Sequence, residues 1–181
     1  MIETERLVLR LPTEDDIPAV IDYYRSNRGH LEPWSPLWPR GFFETDYWRD
    51  QVAARRAEER AGTGLRTFIF VKRGGRLAGN ASLTQIERGP AQYCVLGYGL
   101  AEWAQGHGYM REAVAAIVRH AFEELGLHRV AANYMPHNVR SAAVLRACGF
   151  TVEGYARDYL QINGRWEDHI LTAITNPAWR S

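Results

Sequence analysis

The sequence has little of what marks a disulfide-bonded, metal-binding or membrane protein. It contains only two cysteines, Cys94 and Cys148, whose spacing is not that of metal ligands. We expect both to be small buried residues in a reducing compartment. No run of apolar residues approaches the length of a membrane span, and residues 1–6 lack the basic and apolar regions of a signal peptide. These absences predict a cytoplasmic protein with no metal and no membrane partner.

An excess of charge of one sign is also missing. The net charge is +1, which gives no bulk attraction to nucleic acid, so we expect no direct nucleic-acid binding. The length of 181 residues corresponds to about one domain. The apolar content of 46% is enough for a sizeable core. Since no linker or internal repeat divides the chain, we predict a single domain over residues 1–181, as a monomer or a weak homodimer.

Both standard phosphate-binding loops are absent, because the chain has neither G-x-G-x-x-G nor G-x-x-x-x-G-K-[ST]. In their place a short turn joins a strand-like segment, residues 93–100, to a helix with one apolar stripe. The turn is Gln105-Gly106-His107-Gly108-Tyr109-Met110. Unpaired N–H groups and the positive end of the helix dipole make such a turn a site for phosphate. A plain strand-to-helix turn is the alternative interpretation.

The remaining segments alternate between strand and helix patterns. We predict strands at residues 7–11, 67–71, 77–86, 93–100, 128–134, 150–155 and 166–174, with hairpin turns at 73–76 and 163–164. Helices are expected from residue 13, over 45–60, after the 105–110 turn and over 138–147. The strand–helix–strand unit around the turn implies two parallel neighbours. The prediction is an α/β fold in which helices flank a mixed, mostly antiparallel sheet.

The turn at residues 105–110 resembles the pyrophosphate loop of the GNAT acyltransferases, whose pattern is roughly [RQ]-x-x-G-x-[GA]. Gln105 matches the first position and Gly108 the fourth. Met110 replaces a small last residue, and its side chain is expected to point outward. The order of elements matches the GNAT fold over nearly the whole chain. The resemblance implies acetyl-CoA as the donor and a splay between the two central parallel strands.

The resemblance also implies which residues bind acetyl-CoA. Strand backbone exposed at the splay would pair with the pantetheine amides. Glycines at positions 97 and 99 predict a bulge or a close backbone approach in this strand. The implied set is Tyr98, Gly99, Leu100, Gln105, Gly106, His107, Gly108, Tyr109, Met110, Asn133, Asn138 and Ser141.

A second GNAT-like signature supplies a candidate proton donor. It consists of Asn138-Val139-Arg140-Ser141, then Leu145, then Gly149-Phe150. Many family members have a tyrosine at the position of Leu145, where it protonates the departing thiolate, but leucine cannot donate a proton. Ser141 lies one turn earlier on the same helix face, and the resemblance implies that it takes this role. Asn138 is also a favoured residue type for a helix N-cap.

The C-terminal third resembles the branch of the GNAT family that acetylates the N-termini of ribosomal proteins. The matching runs are residues 128–138, 153–160 and 166–173. This resemblance implies an N-terminal alanine as the acceptor, on a small-subunit ribosomal protein, and leaves a contact with the ribosome open. Two alternatives remain. One is a GNAT enzyme for small amines such as aminoglycosides, polyamines or amino-acid antibiotics, and the other is a non-catalytic acyl-CoA-binding regulatory module on the ribosome.

An alanine acceptor calls for a narrow, partly aromatic pocket. The residues placed there are Trp34, Tyr134, Asp158 and Tyr159. An N-terminal amine must be neutral to attack a thioester, and with a reference pKa of about 7.7–8.0 it needs only a weak base. Asp158, expected on the same side of a strand as Leu160, is the candidate base. A turn or salt-bridge aspartate is the alternative interpretation.

Overall fold

The computed structural model of the protein describes residues 1–180, whose eight strands form one sheet. The helices are α1 (Ile17–Ser26), α2 (Arg28–Leu31), α3 (Thr45–Ala61), α4 (Tyr109–Glu123) and α5 (Val139–Ala147). The strands are β1 (Ile2–Glu3), β2 (Leu7–Arg10), β3 (Leu65–Val71), β4 (Leu77–Glu87), β5 (Tyr93–Leu100), β6 (Arg129–Ala131), β7 (Thr151–Ile162) and β8 (Arg165–Thr175). Short 3₁₀ turns lie at Glu14–Asp16, Glu32–Trp34 and Glu102–Ala104.

The sheet order is β1-β2-β3-β4-β5-β6-β8-β7. Within residues 1–180 the pair β5 and β6 is the parallel one, and α4 forms the crossover between them. All other neighbours are antiparallel. The predicted α/β fold with a mixed, mostly antiparallel sheet flanked by helices is therefore confirmed. No helix within the described residues is long and apolar enough to cross a membrane.

Helices cover both faces of the sheet, and two adjacent residues of β5 show which helices share a face. The Tyr98 side chain meets Ser141 of α5. The Cα of Gly99 faces Tyr23 of α1 and Leu31 of α2. Because successive strand residues point to opposite faces, α5 and its neighbour α4 lie on one face, and α1 and α2 on the other. We call these the α4 face and the α1 face.

Two strand predictions differ from the structure. The strand expected over 128–134 is shortened to Arg129–Ala131, because the Asn133 side chain accepts from Thr172 N at 3.2 Å and draws the chain toward β8. The last two strands are longer than expected and extend to the turn at Asn163-Gly164. Their outer residues were not recognised from sequence because β7 is an edge strand and most of its residues are exposed.

The bulge expected at Gly97 or Gly99 lies elsewhere. β4 carries it, between Thr84 and Glu87, where Gln85 has a φ of +51°. The close backbone approach is present, since a side chain on Gly79 of β4 would collide with the carbonyl of Gly99. Glycine at position 79 therefore allows the two strands to pack at this end of the sheet.

Candidate active site

The sheet opens between its two parallel strands. The pairing of β5 with β6 covers three residues on each strand and ends at Val95 and Ala131. Beyond this point β5 continues along β4 to Leu100, while the chain after Ala131 follows β8. Within residues 1–180, positions 96–100 of β5 thus have no strand partner on one edge. The splay expected from the resemblance is present.

The backbone of β5 at the splay divides its hydrogen-bonding groups between two sides. Ala101 N donates to β4 at 2.7 Å. Because the groups of an antiparallel ladder alternate, the odd-numbered residues of this stretch turn their N–H and C=O groups to β4. Tyr98 and Leu100 therefore present theirs to the splay, where an extended ligand can pair with them. The carbonyl of Gly99 lies against Gly79, so Gly99 adds room rather than free backbone groups.

The turn at residues 105–110 leads into α4. Gly106 and Gly108 both have a φ of +77°, in the left-handed region that glycine adopts without strain. Gly108 is the N-cap of α4. A Cβ built on Gly106 would meet no atom within 4 Å, so the space beside this backbone is open. Since the first N–H groups of a helix have no intrahelical partner, the turn has the geometry of an anion site.

Gln105, the first residue of the turn, is fixed from two sides through its amide. Its Nε2 lies 2.6 Å from His30 Nε2, and its Oε1 accepts from Arg140 Nη1 at 2.6 Å. His30 belongs to α2 and Arg140 to α5. One side-chain amide therefore connects the elements of the two faces beside the splay.

Arg6, in the connection between β1 and β2, holds the other end of the turn. Its Nη1 donates to His107 O at 2.8 Å, and its Nε donates to Glu112 Oε2 at 2.6 Å. The guanidinium lies 4.9 Å from the ring centre of Tyr109. A cation from a distant part of the chain thus lies beside the predicted phosphate site.

One expectation about this turn is wrong. The Met110 side chain is 7% exposed and does not point outward, because this position already belongs to the apolar stripe by which α4 packs on the sheet. Only the backbone N–H of Met110 remains available to a phosphate. His107 is exposed, and its ring stacks on Tyr109 with centres 5.5 Å apart.

Ser141 and Tyr98 meet on the α4 face beside the splay. Tyr98 Oη lies 2.8 Å from Ser141 Oγ. Asn138 is the N-cap of α5, as its residue type predicts, and accepts from Ser141 N at 3.1 Å. Burial raises the pKa of the Tyr98 phenol well above its ordinary range, so it remains a neutral hydroxyl. Leu145, by contrast, is buried in the core.

The predicted acceptor residues take part in two aromatic contacts. Trp34 packs on His137 with ring centres 5.3 Å apart, which joins the Glu32–Trp34 turn to the segment before α5. Tyr159 Oη accepts from Asn133 Nδ2 at 3.2 Å, and its ring lies 5.4 Å from that of His169. Asn133, which the resemblance assigns to acetyl-CoA, thus lies beside a predicted acceptor residue.

Tyr134 and Asp158 lie near the same hairpin in irregular backbone. Tyr134 N donates to Ile170 O at 3.2 Å and Tyr134 O accepts from Ile170 N at 2.8 Å. Asp158 is exposed, has a φ of +45°, and lies in a bulge where the pairing of β7 shifts. Its N–H donates to Asp168 Oδ1 at 2.9 Å. The bulge breaks the strand alternation, so the simple rule that placed Asp158 on the side of Leu160 is wrong.

A proline-rich segment, residues 33–39, follows α2 and contacts the β7–β8 hairpin. Asn163 N donates to Ser35 O at 2.8 Å, and a Cβ on Gly164 would lie 3.5 Å from Leu37 Cδ1. The far end of the segment is anchored where Trp38 stacks on Phe42 with ring centres 4.7 Å apart. The segment is therefore held at both ends, with the exposed Trp34, a predicted acceptor residue, between them.

Comparison with known families decides the class of this site. The chain matches the family model described as acetyltransferase (GNAT) domain over residues 6–151. The chain belongs to the GNAT acetyltransferase family. As an acetyltransferase of this family, the protein uses acetyl-CoA as its acetyl donor.

Several relatives of this GNAT protein are similar along nearly their whole length. The ribosomal protein uS5-alanine N-acetyltransferase of Escherichia coli is 38% identical over 178 residues, covering 98% of this chain and 92% of that protein. The solved ribosomal-protein-S5-alanine acetyltransferase of Vibrio fischeri has a TM-score of 0.93 and 36% identity, covering 99% of this chain and 98% of that one. Mycobacterium smegmatis RimJ, in complex with CoA-disulfide, has a TM-score of 0.89 and 30% identity, covering 97% and 84%.

The residues at the GNAT site suit acetyl-CoA. The open backbone at Gly106 and the first N–H groups of α4 fit a pyrophosphate. The free N–H and C=O groups of Tyr98 and Leu100 fit the pantetheine amides. The described residues contain no group of three or more His, Cys, Asp or Glu side chains placed to hold a metal ion.

Three features of the site were not predicted from the sequence. Tyr98 was expected to act only through its backbone, although strand alternation already places its side chain on the face opposite Gly97 and Gly99. Arg6 gave no signal, because its partners are 101 and 106 residues away along the chain. His169 was recognised only as part of a matching run, since its position depends on the register of β8.

Proposed function

We propose that this GNAT enzyme acetylates the N-terminal alanine of a protein, and that a small-subunit ribosomal protein is its acceptor. The main support is the 38% identity to an enzyme named for this activity, over 98% of the chain. A similarity of that coverage includes the segments that line the acceptor side as well as the acetyl-CoA turn. A ribosomal protein as acceptor would place the reaction in the cytoplasm.

The acceptor side fits an extended peptide with a small first residue. Gly97 of β5 is exposed, and a Cβ built there meets nothing within 4 Å, so the floor beside the splay has free space. Trp34 packs on His137, Tyr159 bonds Asn133, and Tyr134 pairs with Ile170, so these rings offer aromatic surfaces with polar edges to an acceptor. A pocket of this type favours Ala or Ser at the first position over Leu or Phe, with a graded preference of about 1–3 kcal/mol per misfitting methylene.

Ser141 is the proton donor to the departing thiolate in this proposal. Acetyl-CoA supplies the acetyl thioester, and a thiol with a reference pKa of about 8.5 needs only modest help to leave. The Ser141 hydroxyl donates that proton, and Tyr98 Oη at 2.8 Å orients it. The larger contribution comes from holding amine and thioester together at the splay, worth about 7–11 kcal/mol in favourable cases.

The identity of the group that takes the amine proton is a separate matter. The sequence points to Asp158, which stays a prediction. The carboxylate is exposed and lies in a bulge of β7.

A competition assay tests the proposed function. The protein is incubated with acetyl-CoA and an equimolar mixture of peptides starting with Ala, Ser, Leu or Phe, together with a polyamine and an aminoglycoside. Mass spectrometry is expected to show acetylated Ala- and Ser-peptides, which Ser141→Ala should form more slowly, by roughly 10²-fold or less. Turnover of a small amine without peptide products would favour the small-amine alternative. Binding of acetyl-CoA with no turnover of any acceptor would favour the non-catalytic one.

A further inference from the structure

His169 is the buried polar side chain that lies nearest in register to the splay on the acceptor side. The imidazole is 4% exposed. Its Nδ1 lies 2.9 Å from Glu167 O, and a carbonyl can only accept, so Nδ1 carries the hydrogen. In the neutral ring Nε2 then keeps its lone pair and is a proton acceptor.

The Nε2 atom of the buried ring has no hydrogen-bond partner among the described residues. Within residues 1–180, Arg55 Nε is the buried side-chain nitrogen or oxygen that has neither solvent contact nor a hydrogen-bond partner. His169 Nε2 is not a sealed atom of this kind, and no described group hydrogen-bonds to it. The hydrogen bond at Nδ1 thus fixes the ring, while the lone pair of Nε2 is not used by any described donor.

The sheet register places His169 across the splay from the acetyl-CoA edge. Val95 of β5 pairs with Ala131, and Ala131 pairs with Ala173 of β8, so these three share a level and a face. Four residues further along each strand, alternation brings Gly99 of β5 and His169 of β8 to the α1 face. The extra residues of the hairpin bulges lie on β7, so β8 keeps its alternation. One wall of the opening is β5, which carries Gly99. The other is the chain of residues 132–134, and β8 with His169 pairs with that chain on its far side.

Ser141 lies on the opposite face. It touches Tyr98, whose side chain points to the α4 face. An acceptor that enters over Gly97, where the space is free, therefore has His169 on its own side of the thioester and Ser141 on the far side. This arrangement separates the group that takes a proton from nitrogen and the group that gives one to sulfur.

We propose that His169 Nε2 is the general base of the acetyl transfer. This rests on the proposed acetylation of an amine at this site. The neutral amine attacks the thioester carbonyl, the N–C bond forms, the C–S bond breaks, and the proton on nitrogen passes to His169 Nε2. The sulfur receives a proton from Ser141 Oγ. His169 then releases its proton to solvent and Ser141 regains one, so no proton is consumed overall.

The charged and titratable groups around the imidazole are few. Tyr159 of β7 contacts the ring at 5.4 Å, and Asp168 is its neighbour in β8. The Asp168 carboxylate is engaged by the Tyr155 hydroxyl and by Asp158 N. Tyr134 pairs with the residue after His169. None of these groups donates a hydrogen bond to the lone pair of Nε2.

The test is the pH profile of kcat/KM for an Ala-starting peptide. Two groups, amine and imidazole, must be neutral, so the wild-type log plot is expected to rise with a slope of about two on the acid side. His169→Gln should keep the acetyl-CoA Kd and the far-ultraviolet circular dichroism of the wild type. Its kcat should fall about 10²-fold or more, and its acid slope should become about one. His128→Gln is the matched control, since His128 also packs on an aromatic ring, that of Trp179 at 5.5 Å.

A second variant covers the case in which glutamine disturbs the buried site. In His169→Ala, added imidazole is expected to restore a saturable part of kcat, because it fits the space of the lost ring. Wild-type kcat and acid slope in His169→Gln would overturn the proposal. So would a slope change in Asp158→Asn together with an unchanged slope in His169→Gln. Absence of acetylation by the wild type would instead contradict the proposed function itself.

Discussion

The donor side and the acceptor side of this site are built in different ways. The donor side consists of backbone groups: the turn at residues 105–110 and the unpaired edge of β5, held by Gln105 and Arg6. The acceptor side consists of side chains on the proline-rich segment and on a bulged, exposed hairpin. Backbone recognition depends on local geometry and few glycines, whereas side-chain recognition depends on which residues the fold brings together. The first can therefore be shared by many acetyltransferases, and the second sets the acceptor.

The sharpest way to break the donor side is a charge in its turn. Gly108→Glu should weaken acetyl-CoA binding by about 100-fold or more, because a carboxylate would meet the pyrophosphate and like charges at close range cost several kcal/mol. Calorimetry measures the affinity. Gly74→Glu is the matched control, since Gly74 also has a positive φ, of +85°, but lies in a remote hairpin turn. Equal acetyl-CoA affinities in the two variants would show that the turn is not the pyrophosphate site.

Removing the Ser141 hydroxyl tests the chemistry between the two sides. Ser141→Ala should lower kcat by roughly 10²-fold or less, within the usual scale of acid–base help. KM for acetyl-CoA should stay near the wild-type value, because the proton is needed only as the thiolate leaves. Ser26→Ala, which removes an exposed hydroxyl of α1, is the control. A wild-type kcat in Ser141→Ala would show that Ser141 has only a structural role in α5.

Trp34 tests whether the acceptor side can be damaged alone. Trp34→Ala removes the ring that packs on His137 and should raise KM for the peptide about tenfold, corresponding to about 1.4 kcal/mol. The acetyl-CoA affinity should not change. Trp179→Ala serves as control, because Trp179 packs near the C-terminus against His128. An unchanged peptide KM would remove Trp34 from the acceptor pocket.

Tyr98 gives the smallest expected effect and links the two sides. Tyr98→Phe keeps the ring but removes the hydroxyl bonded to Ser141, so kcat should fall roughly fivefold, the value of about 1 kcal/mol for one hydrogen bond. In the double variant with Ser141→Ala no further loss is expected, because both changes remove one pathway. Tyr47→Phe is the control. Additive losses in the double variant would mean that the two hydroxyls act independently.

The same difference between backbone and side-chain recognition explains which parts of the fold and of the site could be predicted from the sequence. The helix stripe, the two glycines and the order of elements are local signals, and from them the fold and the turn at 105–110 were predicted. Two other features depend on sheet register, which local patterns do not give. They are the hydrogen bond between Tyr98 and Ser141, which lie 43 residues apart, and the face of the sheet to which His169 points. The prediction that the Met110 side chain points outward was wrong, because a residue beside a ligand-binding turn can still face the core. The bulge at Asp158 was missed because it depends on Asp168 capturing a backbone N–H.

The central claim is that the acceptor amine approaches the thioester at the splay from the α1 face, whereas Ser141 lies on the α4 face. A crystal structure with a bisubstrate compound, in which CoA is joined through an acetyl bridge to the N-terminus of an Ala-starting peptide, tests it most directly. We predict the pyrophosphate at Gly106 and Gly108, the bridge between Leu100 and His169, and the peptide over Gly97 toward Trp34 and Tyr159. A peptide that leaves along the Ser141 face, with His169 away from the linked nitrogen, would contradict the account.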